Sequence, residues 1–130
     1  MIADTAFVID LMNKDYEALE KIKSSSKIGE SILITSITIF ELFSGLIRSG
    51  RPEEEKRKAM DTLLGQLILD LDEPSAKTGG EVHGKLIKNG RTVGSHDCMI
   101  AGIALRKKDK VLTRNVKDFS RISGLEIESY

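Results

Sequence analysis

A chain of 130 residues, 40% of them hydrophobic, can fill one core but is too short for two domains of ordinary size. Its 20 basic and 20 acidic residues cancel, which excludes the strong overall positive charge of proteins that coat nucleic acids. A single cysteine excludes an internal disulfide, and no signal-peptide pattern or apolar run of roughly 18 residues indicates export or a membrane span. We therefore predict one cytoplasmic domain over residues 1–130.

The first 35 residues predict strand, helix, helix and strand. The apolar start Met1–Ala3 predicts a strand, and Thr5–Met12 follows with apolar residues at helical spacing. A second helix is predicted over Tyr16–Lys23, and the three serines Ser24–Ser26 should end it. The β-branched run Ile32–Thr35 then predicts a buried strand.

The middle of the chain predicts two helices and a strand. Ser36 or Thr38 can cap the first helix, which should end near Gly50. Pro52, followed by three glutamates, begins the second helix, because proline suits the first helical position and carboxylates suit the positive end of the helix dipole. The apolar run Leu67–Leu71 predicts the third strand.

The last 60 residues predict two more helices and two more strands. Pro74 begins a helix that an Asn-Gly pair closes. Gly90–His96 should be a loop, after which Asp97 opens a helix that is almost wholly apolar. Lys110–Thr113 predicts a fourth strand, and Leu125–Ile127 predicts a short strand at the edge of the sheet.

Strands that alternate with helices predict the α/β class, here a three-layer α/β/α fold with a parallel sheet of four to five strands. In such open sheets, ligands bind beyond the carboxyl ends of the strands. Four acidic residues lie on or beside those ends, namely Asp4, Glu41, Asp97 and Asp118. We expect their side chains to meet in one pocket.

A cluster of carboxylates is costly unless something neutralises it. Two like charges about 4 Å apart repel by about 4 kcal/mol at an effective dielectric near 20, whereas Mg²⁺ binds carboxylates together with substrate phosphates. Each acid taken alone could be only a cap or turn residue. Their joint placement indicates metal-dependent cleavage of phosphodiesters, and Glu41 is the most informative, because an unpaired charge among apolar neighbours is expensive.

Four segments of the chain, in this order and at this spacing, also match a known pattern. They are Asp4-Thr5 before an apolar run, Thr35-Ser36 leading to Glu41-Leu42 and Gly45, Val93-Gly94 with Asp97 and Ile100-Ala101, and Thr113-Arg114-Asn115 with Asp118-Phe119. With them the chain resembles the PIN-domain ribonucleases, in particular the VapC-type toxins of toxin-antitoxin pairs.

The resemblance implies a Mg²⁺-dependent endoribonuclease, with Mn²⁺ as an alternative ion. Its catalytic residues would be Asp4, Glu41, Asp97 and Asp118, of which Asp4, Asp97 and Asp118 bind the metal and Glu41 holds or deprotonates the attacking water. Thr5, Thr113 and Asn115 would support these acids by hydrogen bonds, with Asn115 an alternative to Asp118 in completing the site. Arg114 is a candidate for contact with a phosphate.

The same resemblance implies an RNA substrate, a VapB-type antitoxin and a homodimer, with no membrane association. Two other functions fit parts of the sequence. A non-catalytic module of the same fold could use the acids for a structural cation or a partner peptide. An aspartyl-phosphate enzyme fits poorly, because Ala6 stands where the phosphatase pattern has a second acid. Only six residues are aromatic, which argues against a platform that stacks on single-stranded bases.

Overall fold

The computed structural model describes all 130 residues, which form seven helices and five short strands. In chain order the elements are β1 (Ile2–Ala3), α1 (Thr5–Met12), α2 (Tyr16–Lys27), β2 (Ile34–Thr35), α3 (Ser36–Ile47), α4 (Pro52–Leu63), β3 (Ile68–Leu69), α5 (Glu73–Lys88), α6 (Ser95–Lys107), β4 (Val111–Leu112), α7 (Val116–Phe119) and β5 (Ile127–Glu128). None of the helices combines the length and apolar character that crossing a membrane requires.

All strands pair in parallel, which confirms the predicted α/β class. The predicted continuous sheet of four to five strands is instead divided. Strands β1, β4 and β5 form a sheet of three in the order β1-β4-β5, and β2 and β3 form a pair. One bridge between Ile2 and Leu33 joins the two parts, because β1 has only two residues and shares no longer ladder with β2.

Helices cover the sheet on both faces. Ile2 and Val111 contribute to a core that includes residues of α5 and α6, whereas their neighbours Ala3 and Leu112 contribute to a second core that includes residues of α1 and α3. Successive side chains of a strand point to opposite faces, so these four residues, all 0% exposed, serve both cores. The sheet is therefore the middle of three layers.

The helix pair α5 and α6 packs at backbone distance through two glycines. A Cβ atom added at Gly79 would lie 2.7 Å from the carbonyl oxygen of Cys98, and one added at Gly102 would overlap the carbonyl oxygen of Ser75. No larger residue fits at either position unless the backbone shifts. This contact fixes α6, the helix that carries Asp97, against its neighbour.

Three helix boundaries differ from those predicted. Helix α2 continues through the three serines to Lys27, because Ser25 is buried, and Gly29 at φ +71° follows its end. The cap of α3 is Thr35, whose side chain accepts a hydrogen bond from the Thr38 N–H. Helix α6 begins at Ser95, so His96 lies in its first turn and not in a loop.

Candidate active site

Asp4 lies where β1 passes into α1, and protein donors engage both of its carboxylate oxygens. Its Oδ1 accepts a hydrogen bond from the Phe7 N–H at 2.9 Å, which makes Asp4 the N-cap of α1. Its Oδ2 accepts a hydrogen bond from the Thr113 hydroxyl. Burial raises the pKa of Asp4, and the two hydrogen bonds oppose this effect because they favour the charged form.

Glu41 lies on the second turn of α3 and points toward α1. The Thr5 hydroxyl donates a hydrogen bond of 2.6 Å to its Oε1. Thr35, Thr38 and Glu41 recur every three residues and so share one face of the chain as it enters the helix, and the Thr38 hydroxyl lies 3.2 Å from that of Thr5. The site thus includes a buried threonine, Thr38, that this spacing in the sequence could have indicated.

Asp97 is the third residue of α6, in a turn whose N-cap is Gly94. Burial, as the largest cause, and the negative charges of Asp4, Glu41 and Asp118, in that order, together raise the pKa of Asp97 to about 6. His96 has the opposite, weaker effect. The charges of Asp4, Glu41 and Asp118 therefore reach Asp97. If the four acids lay on separate surfaces, solvent and salt would screen these effects.

Asp118 and Asn115 occupy the same corner of the site. The Asn115 side-chain amide donates a hydrogen bond of 2.9 Å to Oδ2 of Asp118, and the Asn115 backbone N–H donates to the Thr113 hydroxyl oxygen at 2.8 Å. Because Thr113 in turn donates to Asp4, a continuous chain of hydrogen bonds joins Asp4 to Asp118. Asn115 and Asp118, the two candidates for completing the acidic site, are therefore joined by a hydrogen bond.

Arg114 points away from the four acids and into a second acidic group. Its guanidinium pairs with Asp10 at 2.9 Å, Asp15 at 2.8 Å and Glu17 at 2.6 Å. It also lies 4.5 Å from the centre of the Tyr130 ring. These three carboxylates compete with any phosphate for the Arg114 guanidinium.

The rings of His96 and Phe40, which were not among the predicted site residues, lie beside the acids. Nδ1 of His96 lies 3.5 Å from Oε2 of Glu41. The imidazole also lies against Phe40, with 5.5 Å between ring centres. The only sequence signal is adjacency, since Phe40 directly precedes Glu41 and His96 directly precedes Asp97.

The donor set fits a hard divalent cation that keeps part of its water shell. As the side chains stand, no three acids, histidines or cysteines lie close enough to hold an ion by themselves. Mg²⁺ does not need such a cage, because it commonly uses one or two carboxylates, several waters and substrate phosphates. Burial and, to a smaller extent, repulsion by the neighbouring acids raise the pKa of Asp97, and a bound cation would offset both effects because it favours the charged carboxylate.

The largest cleft of the molecule, about 430 Å³, lies elsewhere. Its lining includes Ser25 in the last turn of α2, Ile32 just before β2 and Gln66 just before β3. The cleft therefore opens at the amino edge of the sheet. Its only ionisable lining residue is Glu30, whose carboxylate pairs with Lys110 at 2.9 Å. The site formed by the four acids, and not this cleft, contains groups suited to catalysis.

Comparison with known proteins identifies the family of this chain. The family model of the PIN domain matches residues 1–125. The chain is 29% identical to the tRNA(fMet)-specific endonuclease VapC of Salmonella typhimurium, over 100% of this chain and 96% of that protein. It is 30% identical to Ribonuclease VapC2 of Rickettsia felis, over 98% and 95% of the two chains. A crystal structure of VapBC2 from Rickettsia felis, bound to a DNA fragment of its promoter, superposes with a TM-score of 0.89 and 26% identity, covering 99% of this chain and 97% of that one. The chain therefore belongs to the PIN-domain family, in its branch of VapC ribonucleases.

Proposed function

We propose that this protein is a divalent-cation-dependent endoribonuclease and the toxin of a type II toxin-antitoxin pair. The observation that carries the proposal is the electrostatic coupling of Asp97 to Asp4, Glu41 and Asp118. Four acids from four separate segments meet at the carboxyl edge of a parallel sheet, where α/β proteins bind their ligands. Membership of the VapC ribonucleases supports RNA as the substrate.

Each acid has its own role in this proposal. Asp4, Asp97 and Asp118 would hold Mg²⁺, or Mn²⁺ in its place, which when bound would supply polarisation of the scissile phosphate and a more acidic water. Glu41 holds the attacking water or accepts its proton, and the Thr5 hydroxyl, which donates a hydrogen bond to Oε1, orients the carboxylate for this role. Thr113 and Asn115 hold Asp4 and Asp118 in place, as hydrogen-bond partners of metal ligands commonly do.

The proposal extends to substrate and partners. The name of the Salmonella relative specifies tRNA(fMet), so transfer RNA is the substrate class to test first. The Rickettsia structure is a VapBC complex, which supports a VapB-type antitoxin as the partner of this chain. We also propose that residues 1–130 act as one nuclease domain, as a homodimer, in the cytoplasm.

Cleavage of a purified transfer RNA by wild type and Asp97→Asn tests the proposal. Wild type should cleave with Mg²⁺ and stop with EDTA, and Asp97→Asn should lose cleavage while it keeps its circular dichroism spectrum. Asp61→Asn, which alters an exposed carboxylate on α4, is the matched control and should cleave as wild type does. Cleavage by Asp97→Asn at the wild-type rate would refute the mechanism. A wild-type protein that binds Mg²⁺ but leaves RNA intact would instead support a non-catalytic module.

A further inference from the structure

The ring pair Phe40 and His96 is unusual in this molecule because both rings face solvent. Their centres lie 5.5 Å apart at an interplanar angle of 58°. Phe40 is 62% exposed, and the His96 side chain is 42% exposed. The other aromatic contact, between Phe7 and Tyr130, includes a ring that is completely buried.

Packing within the fold does not account for the position of Phe40. The core face of α3 consists of buried residues such as Ile37, Leu42 and Leu46, and Phe40 points away from them. An aromatic ring stabilises a fold through the apolar area that it buries, and this ring buries little. Its largest π surface remains available to another molecule.

The ring pair lies at the rim of the active site. Phe40 and Glu41 are consecutive in α3, and His96 and Asp97 are consecutive in α6. Nδ1 of His96 lies 3.5 Å from Oε2 of Glu41, so the two helices approach each other at this point. A molecule that stacks on these rings therefore also lies next to two of the four acids.

The charges of the site do not attract RNA, so the substrate has to be held by another kind of interaction. Four carboxylates repel the phosphates of RNA, the chain as a whole is neutral, and the nearby guanidinium of Arg114 is already paired with carboxylates. The small number of aromatic residues argues against an extended stacking platform, but one exposed ring pair is enough for a single base, and stacking of a base on an aromatic ring needs no positive charge. It does need an unstacked base, which loops and single strands offer and A-form duplexes do not.

We propose that Phe40 and His96 stack on an unpaired nucleobase beside the scissile phosphate and so position the RNA for cleavage. This inference rests on the proposed ribonuclease function and adds to it two residues that hold the substrate. The rings position the RNA, while the carboxylates carry out the reaction. Phe40 and His96 are thus substrate-binding residues.

A hairpin RNA with 2-aminopurine at successive loop positions tests the stacking directly. Binding is measured in EDTA, so that no cleavage occurs, by fluorescence quenching and anisotropy. Wild type should quench the fluorophore at one loop position, and Phe40→Ala should lose this quenching and bind about tenfold more weakly. Phe40→Trp should restore both. A duplex of the same sequence should bind wild type and Phe40→Ala equally weakly.

The matched control is Ile47→Ala. Ile47 is 73% exposed on the same helix, seven residues and thus about 10 Å further along the same face, and its loss should leave RNA binding unchanged. Equal binding and quenching by wild type and Phe40→Ala, equal losses in Phe40→Ala and Ile47→Ala, or no binding of the hairpin by wild type would each overturn the inference. So would a change of oligomeric state in Phe40→Ala without a change in RNA affinity, because Phe40 would then belong to a protein interface.

The two proposals fail in different ways. Loss of quenching in Phe40→Ala together with undiminished cleavage by Asp97→Asn would refute the mechanism and leave the stacking surface in place. Cleavage that depends on Asp97, with quenching that does not depend on Phe40, would refute only the stacking surface.

Discussion

The Thr113 hydroxyl donates a hydrogen bond to Asp4, although 109 positions separate the two residues in the chain. Both residues directly follow strands, β1 and β4, that pair in parallel, so the register of the sheet brings their side chains together. The same hydroxyl oxygen accepts the N–H of Asn115. The buried Thr113 thus links Asp4 to the segment that carries Asn115 and Asp118.

Thr113→Val keeps the size of the side chain but removes this link. It leaves Oδ2 of Asp4 and the N–H of Asn115 without their partner, which should destabilise the fold by about 1–3 kcal/mol. Because partners of metal ligands orient them, the affinity for Mg²⁺ should fall about 10- to 100-fold. The Mg²⁺ concentration that gives half-maximal cleavage measures this effect. Thr92→Val, in an exposed loop, is the control, and an unchanged Mg²⁺ requirement in Thr113→Val would contradict the supporting role.

The stability of the metal-free protein should fall as pH rises through about 6. Burial and neighbouring charges raise the pKa of Asp97 from 3.8 to about 6, so the folded state binds a proton more tightly than the unfolded state does. The resulting stabilisation is complete below about pH 4 and is lost as pH rises through the folded pKa. Burial raises the pKa of Asp4 as well, which acts in the same direction.

Mg²⁺ should reverse that loss only where the acids are ionised. Thermal melts in EDTA and in Mg²⁺ should therefore differ strongly at pH 7.5 and little at pH 5. Asp97→Asn should flatten the pH dependence in EDTA, because its amide does not titrate. A Mg²⁺-induced shift in Tm of equal size at both pH values would show that Asp97 is not part of the cation site.

The placement of the acids at one edge was predictable because it depends on strand order and direction. Short apolar runs that alternate with helices imply a parallel sheet, and the carboxyl ends of parallel strands lie together. The pairing of Arg114 was not predictable in this way. Its partners Asp10, Asp15 and Glu17 come from α1, α2 and the turn between them, about 100 positions earlier, and only the three-dimensional fold brings them to the guanidinium.

Local sequence signals failed where tertiary packing decided the outcome. The serines of α2 have modest helix propensity, yet the helix runs through them because Ser25 packs into the interior. Thr35 caps α3 in preference to the equally suitable Ser36, since β2 ends at Thr35 and fixes its extended backbone. The sheet divides into three strands and two, with one bridge between Ile2 and Leu33. Each strand has only two residues, a length that hydrophobic runs overestimate.

The α5–α6 contact should be the position least tolerant of a single added methyl group. Gly102→Ala brings a Cβ atom into the backbone of α5 at Ser75 and Gly79, so the helices have to separate, at a cost of about 1–3 kcal/mol. Gly84→Ala, also in a helix but with no atom within 4 Å of the added Cβ, should instead stabilise by about 0.4–1 kcal/mol. Urea denaturation of the two variants measures both effects.

Because α6 carries Asp97 in its first turn, Gly102→Ala should also weaken Mg²⁺ binding in the fraction that remains folded. Equal stability of the two alanine variants would mean that the helices can separate at little cost, and that their close approach does not position Asp97.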